Sequence, residues 1–185
     1  MQLTRFWYYI DFSLYPVWIL MLAGMAAWQA TAGELVAALV YALVGLAAWT
    51  LVEYVMHRVV FHHMPVASPM HQAHHDAPTG MVGAPVWISA ALFSLGVLLP
   101  AWLIGGRLLA TSLTAGLATG YLWYMVVHHA THYWTARRDS YFYTAKRRHA
   151  LHHHRDGATN FGVTTGFWDR VFGTEYQSST APRRP

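Results

Sequence analysis

The chain contains no cysteine. Disulfides, cysteine-ligated zinc, iron–sulfur clusters and thiolate-bound haem are thereby excluded within it. Charge is scarce as well. Only 11% of the 185 residues are Asp, Glu, Lys or Arg, where a soluble domain carries roughly a quarter. Hydrophobic residues make up 55%, and mean hydropathy is positive. That surplus points to a membrane. No Ser- or Pro-rich linker and no internal repeat divides the sequence, so residues 1–185 read as a single domain. The formal net charge of +4 could suit a polyanion, but the cations do not follow a groove-like pattern, and no nucleic-acid partner is expected.

What the chain has instead is long apolar runs. Four of them, from Phe12 to Ala30, Leu35 to Met56, Val86 to Ile104 and Leu108 to Val127, approach the ~20 residues a helix needs to cross a bilayer. The connections Thr31–Glu34 and Gly105–Arg107 are very short, which predicts two antiparallel hairpins. The first run could pass for a signal peptide. Its length and aromatic content favour a retained span. Of the 12 Lys and Arg residues, Arg107 alone lies on the side of the tight loops and the other eleven lie opposite. The positive-inside rule then puts both termini and the long middle loop in the cytoplasm. The expected fold class is all-α: a polytopic membrane protein with four transmembrane helices in two hairpins and a cytosolic, helical, His-rich cap.

The 13 histidines fall into four clusters: His57, His62 and His63; His71, His74 and His75; His128, His129 and His132; and His149, His152, His153 and His154. None is in mid-span. Two clusters begin where the second and fourth spans end, and each of the others follows shortly after, so all four are expected at the cytoplasmic face. On a helix, positions i, i+3 and i+4 share a face. His71, His74 and His75 fit this spacing, as do His149, His152 and His153, while His128 and His132 form an i, i+4 pair. His57 and His62, five apart, either serve two different ions or lie where the helix is distorted. Neutral imidazole is a metal ligand, and ten of them in a small volume without metal would leave many ring nitrogens unsatisfied. Since one zinc takes three or four ligands, this number suggests two ions. Solvated histidine tracts are the bland alternative, but four spaced clusters are unlike a contiguous terminal run. Transport is disfavoured, because ion carriers place ionisable ligands within the spans.

The motifs H-R-V-V-F-H, H-Q-A-H-H, H-H-A-T-H-Y and H-A-L-H-H, with the tail NFGVTTGFWDRVFGT, together resemble the fatty acid hydroxylase/sterol desaturase superfamily of integral membrane dimetal oxygenases. The resemblance runs from about Glu53 to Thr174. It implies His57, His62, His71, His74, His75, His128, His132, His149, His152 and His153 as ligands of two metal ions, iron being favoured and zinc possible. It also implies a lipid substrate, O2, and electrons from a separate electron-transfer protein, because these 185 residues include no cytochrome b5 domain. The first and third motifs are closer to the fatty acid 2-hydroxylase branch. The short segment between His62 and His71 is similar to that of small carotenoid ring hydroxylases, and lipid or sterol desaturation is a further alternative. A zinc-stabilised, non-catalytic membrane protein is the alternative from another class.

His63, His129 and His154 lie off the repeated faces and are expected beside the site or on the surface. Glu53, one turn before His57, could accept a ring N–H from a ligand histidine. Asp76 and Asp156 follow their clusters directly and could do the same, or could end a helix and make a turn. The tail is expected to form a loop and a short amphipathic helix with Phe167, Trp168, Val171 and Phe172 at the interface. In it, Asp169 and Arg170 would pair locally or close over the site. Arg137, Arg138 and Lys146–Arg148 could dock an acidic electron carrier, or reflect only the positive-inside rule and contact with anionic membrane lipids.

Overall fold

The computed structural model describes residues 3–178. Residues 1–2 and 179–185, which include both chain ends and two of the counted cations, Arg183 and Arg184, lie outside the described residues. The described chain is helical, with no strand. Helix α1 spans Arg5–Gln29 and α2 Leu35–Val55, and α2 runs on directly into a π-helical segment, Met56–Phe61. Then come α3 (Ser68–Asp76), α4 (Val86–Phe93) with a second π segment (Ser94–Leu98), α5 (Leu99–Tyr133), α6 (Tyr141–His154) and α7 (Phe167–Val171).

Local chemistry explains the helix ends. Thr4 caps α1 by accepting from Trp7 N–H (3.4 Å), and Ser140 caps α6 by accepting from Tyr143 N–H (3.2 Å). The tight turn after α1 is closed by Glu34, whose Oε2 accepts from Thr31 N–H (3.0 Å) and Thr31 Oγ1 (2.8 Å).

Three stretches are long and apolar enough to cross a membrane: Arg5–Gln29, Leu35–Phe61 and Val86–Tyr133. The third is not straight. Gly105 leaves helical geometry and Gly106 adopts φ 75°, a backbone that glycine takes without steric cost. A straight helix would put Phe93 and Tyr121 about 40 Å apart, yet their ring centroids are separated by 5.6 Å. The chain therefore doubles back at Gly105–Gly106, at the connection expected from the sequence.

α5 packs closely on α2 through small residues. A Cβ on Gly116 would run into the Ala42 carbonyl, and one on Gly120 would come within 2.5 Å of Trp49 Cβ, so glycine sets how near the backbones come. Tyr15, Phe93, Leu117 and Ala118 form the buried centre of the bundle, with Trp18, Trp49 and Tyr121 against them. The start of α1, the end of α2 and the end of α5 share one end of this bundle: Tyr8 on α1 reaches His129 on α5 (Oη to Nδ1 3.1 Å). The π segment, α3 and α6 gather there.

Candidate metal centre

All four histidine clusters converge at that end and form two adjoining groups. In the first, one ring nitrogen each from His57, His62, His71, His75 and His152 lie within 4.8 Å of one another. The second contains His74, His132, His149 and His153 within the same limit. His128 borders this second group, its Nε2 3.1 Å from that of His74 and 3.3 Å from that of His132. Rings of the two groups touch, His75 stacking on His153 at 4.2 Å.

The arrangement has a simple helical logic. Pairs four apart, His71/His75, His128/His132 and His149/His153, stay together within one group. A residue three along is rotated by about 60° from its partner, and that rotation hands His74 and His152 to the opposite group. His57 and His62 are five apart and would diverge on an α-helix. They lie in and just after the π segment, whose wider turn closes i to i+5, and both join the first group. Of the two possibilities for this pair, the helix is distorted and the pair is not divided between groups.

Contacts within the groups suit shared ions. Nε2 atoms are 3.0 Å apart for His57–His71, 3.1 Å for His62–His71, His71–His75 and His75–His152, and 3.2 Å for His62–His152. In the second group His132 and His149 approach to 2.9 Å. An ion about 2.0–2.1 Å from each imidazole nitrogen, with ~90–110° between ligands, holds neighbouring nitrogens roughly 2.8–3.4 Å apart. Hydrogen bonding between the rings explains these contacts poorly. His57 Nδ1–H donates to the Phe161 carbonyl (2.5 Å) and His152 Nδ1–H to the Thr159 carbonyl (2.7 Å). A carbonyl only accepts, so the proton sits on Nδ1 in each case, and a neutral ring then turns an Nε2 lone pair into the cluster.

Burial, followed by repulsion among neighbouring imidazoles, depresses the affinity of these rings for protons. His71 and His153 are brought down to about 2, and His74 to about 3. His62 falls to about 4; so does His152, where the Thr159 carbonyl partly opposes the burial. His149 is pushed well below its ordinary value. At neutral pH these rings are in the neutral form that can bind a metal.

The tail closes over the first group. Phe161 packs its ring on His57, His62 and His152, with centroids 5.7, 5.4 and 5.5 Å away. Glu53, which from its spacing could accept from a nearby histidine ring, does not. It instead accepts from Val163 N–H (2.7 Å), Thr164 N–H (2.8 Å) and Thr164 Oγ1 (2.7 Å). A buried carboxylate seeks the densest set of donors available, and the folded tail offers three. Asp169, fully buried, does not pair with Arg170. Its Oδ2 accepts from Arg148 (3.3 Å) and Gly162 N–H (3.0 Å), and its Oδ1 from Phe161 N–H (2.8 Å) and Thr174 Oγ1 (2.9 Å). Arg148, which also donates to the Gly162 carbonyl, therefore belongs to the interior and not to an exposed basic patch. Sequence patterns missed Arg148 and the true partners of Glu53 and Asp169. The available signal was the scarcity of carboxylates in so apolar a chain.

The remaining candidates lie outside the two groups. His63 and His154 are exposed. His129 stacks on Tyr133 at 4.4 Å and contacts Tyr8. Asp76, exposed at the end of α3, accepts from Gln72 Nε2 (2.9 Å), and Asp156 makes a turn by accepting from Ala158 N–H (2.9 Å). Phe167 and Val171 of α7 and the following Phe172 are exposed, while Trp168 Nε1 donates to Thr50 Oγ1 (3.0 Å). Between α2 and α5 an apolar groove of about 330 Å³, lined in part by Leu43, Ala47, Trp49 and Trp123, reaches Thr164 of the tail.

The fatty acid hydroxylase family matches residues 42–174. The chain is 33% identical over 153 residues to the fatty acid 2-hydroxylase of Rattus norvegicus, covering 76% of this chain and 41% of that protein. It is 33% identical over 155 residues to the Schizosaccharomyces pombe ceramide very long chain fatty acid hydroxylase scs7, covering 75% and 43% respectively. To the Arabidopsis thaliana dihydroceramide fatty acyl 2-hydroxylase FAH2 it is 32% identical over 145 residues, covering 70% and 58%. It thus spans about two fifths of the rat and fission-yeast relatives. The solved structure of full-length scs7p, in which only the hydroxylase domain is visible, superposes with a TM-score of 0.79 at 24% identity, over 95% of this chain and 68% of that one. The chain belongs to the fatty acid hydroxylase family.

Proposed function

We propose that the protein is a membrane-embedded dimetal oxygenase that hydroxylates a C–H bond of a lipid, with a fatty acyl chain as substrate. The observation that carries this reading is the sorting of nine histidines into adjoining groups of five and four, with His128 beside the second and neighbouring ring nitrogens 2.9–3.3 Å apart. The first group would be His57, His62, His71, His75 and His152, and the second His74, His128, His132, His149 and His153. Five donors exceed the four of a closed structural zinc site, which favours a centre built for chemistry, and imidazole nitrogen suits iron.

Bound metal would supply the redox chemistry that no side chain here offers: reduction of O2 with two external electrons and two protons, one oxygen atom entering the C–H bond and the other leaving as water. The chain's own part is to hold ten neutral imidazoles, to fix ring orientation through the Phe161 and Thr159 carbonyls, and to present the site at the end of an apolar bundle. The relatives' names favour position 2 of a fatty acyl chain over a carotenoid or sterol. The groove between α2 and α5 gives an apolar substrate a path from the bilayer towards the tail.

The hairpin at Gly105–Gly106 supports four crossings, with the metal centre and both termini at the cytoplasmic face that the cations favour. Exposed Arg137, Arg138 and Arg147 offer a docking face to an acidic electron carrier, or to anionic lipid.

The test is lipid analysis of cells expressing the protein under ¹⁸O2. One labelled hydroxyl per product lipid supports the proposal. Metal-loaded, reduced protein that leaves every lipid unlabelled would favour a structural zinc site instead.

A further inference from the structure

Four consecutive amide N–H groups, from Phe161 to Thr164, all end on the oxygens of two buried carboxylates. Asp169 takes Phe161 and Gly162, and Glu53 takes Val163 and Thr164. Asn160 is fixed as well, its N–H donating to the Thr174 carbonyl (2.8 Å) and its side chain to the Arg148 carbonyl (3.3 Å). With its donors held this way, the loop turns the carbonyls of Thr159 and Phe161 towards the histidines, where they accept from His152 and His57. Both rings belong to the first group.

Among the described residues, the second group has no such fastening. The ring-nitrogen contacts that His74, His128, His132 and His149 make within the described residues run to other histidines. Nδ1 of His149 and both ring nitrogens of His153 are buried without a partner. Rings locked in tautomer and rotamer lose less freedom when they bind a metal than rings left to adjust.

We propose that Glu53 and Asp169 are positioning residues for one metal position only, and that their grip on residues 159–164 makes the His57 group the tighter of two unequal sites. This rests on the dinuclear reading above and deepens it. The hydrogen bonds of both carboxylates run to the loop, Thr174 and Arg148, and none to a histidine among the described residues. Each acts through the loop backbone, and Glu53, one turn before His57, ties that loop to the helix bearing the ligand it orients.

The experiment is a cobalt(II) titration of the full-length, detergent-solubilised protein after chelation, followed by visible absorbance and calorimetry. Two steps are expected, the tighter abolished by His62→Ala and the weaker by His132→Ala. Glu53→Ala should weaken the tight step ~10–100-fold and leave the weak step in place, which also reports that the bundle remains folded. Glu53→Gln keeps an acceptor oxygen for the two amides and should recover most of the loss, whereas Glu53→Met, similar in bulk but with no acceptor oxygen, should not. If Glu53→Ala fails to fold, Thr164→Ala, which removes only the hydroxyl bond to Glu53, should show the same selective weakening on a smaller scale. Equal weakening of both steps, indifference of both, or loss of the weaker step in His62→Ala would overturn the proposal while leaving two metal sites standing. Wild-type protein that takes up no cobalt would overturn the dinuclear reading as well.

Discussion

The two histidine groups are built alike and held differently. Each consists of two same-helix pairs and one crossing residue: His57/His62 and His71/His75 with His152 in the first, His128/His132 and His149/His153 with His74 in the second. The crossing residues come from the two H-x-x-H-H motifs, so each motif serves both groups. α3 and α6 thereby each carry residues of both groups. Support is where they diverge. The first is roofed by a loop whose amides are anchored on carboxylates, while the second relies on rings packed against rings. Matching ligand spacing does not make matching sites, because orientation comes from the hydrogen bond made by the other ring nitrogen.

The largest effect expected from breaking this contrast belongs to Asp169→Ala. It leaves the partly buried Arg148 without its carboxylate partner and frees two loop amides, at a cost of about 3 kcal/mol. Chemical denaturation of the purified protein should show this, and metal should be lost first from the His57 group. His74→Ala comes next. It should remove the metal held by the second group, together with activity, while metal analysis still finds the first group loaded. Acid provides a graded version. Because burial brings His62, His71, His74, His152 and His153 down to about 2–4, the unfolded chain binds more protons than the native one below about 6.5. Metal-free protein should therefore lose thermal stability as pH falls from 7 to 5, and bound metal should be released over the same descent. A melting temperature that rises on acidification would contradict the neutral, buried state of these rings. The smallest effects are expected at His63→Ala and His154→Ala, both exposed. These should stay within about 0.5 kcal/mol of wild type with metal content unchanged.

Much of this could be read from the chain, because the chemistry concentrates in short-range spacing. The ten histidines, the hairpin turn at Gly105–Gly106 and the helical α3 and α6 follow from local pattern and composition. The H-x4-H pair marked its own anomaly, since five residues do not repeat on an α-helix, although only the structure shows a π segment resolving it. The division of H-x-x-H-H between two groups was not legible. It depends on which neighbour stands on each side of α3 and α6. Still less visible were the ties of Glu53 to residues 163–164 and of Arg148 to Asp169, where partners more than a hundred and about twenty residues apart meet only after the tail has folded. Local motifs reveal a histidine cluster more readily than its supports.

The most direct test of the central claim is the number and surroundings of metal ions in full-length protein purified without chelators. Elemental analysis with X-ray absorption should find two ions per chain, each surrounded by imidazole nitrogens at about 2.0–2.2 Å. No more than one ion per chain, or a coordination sphere without histidine nitrogen, would contradict it.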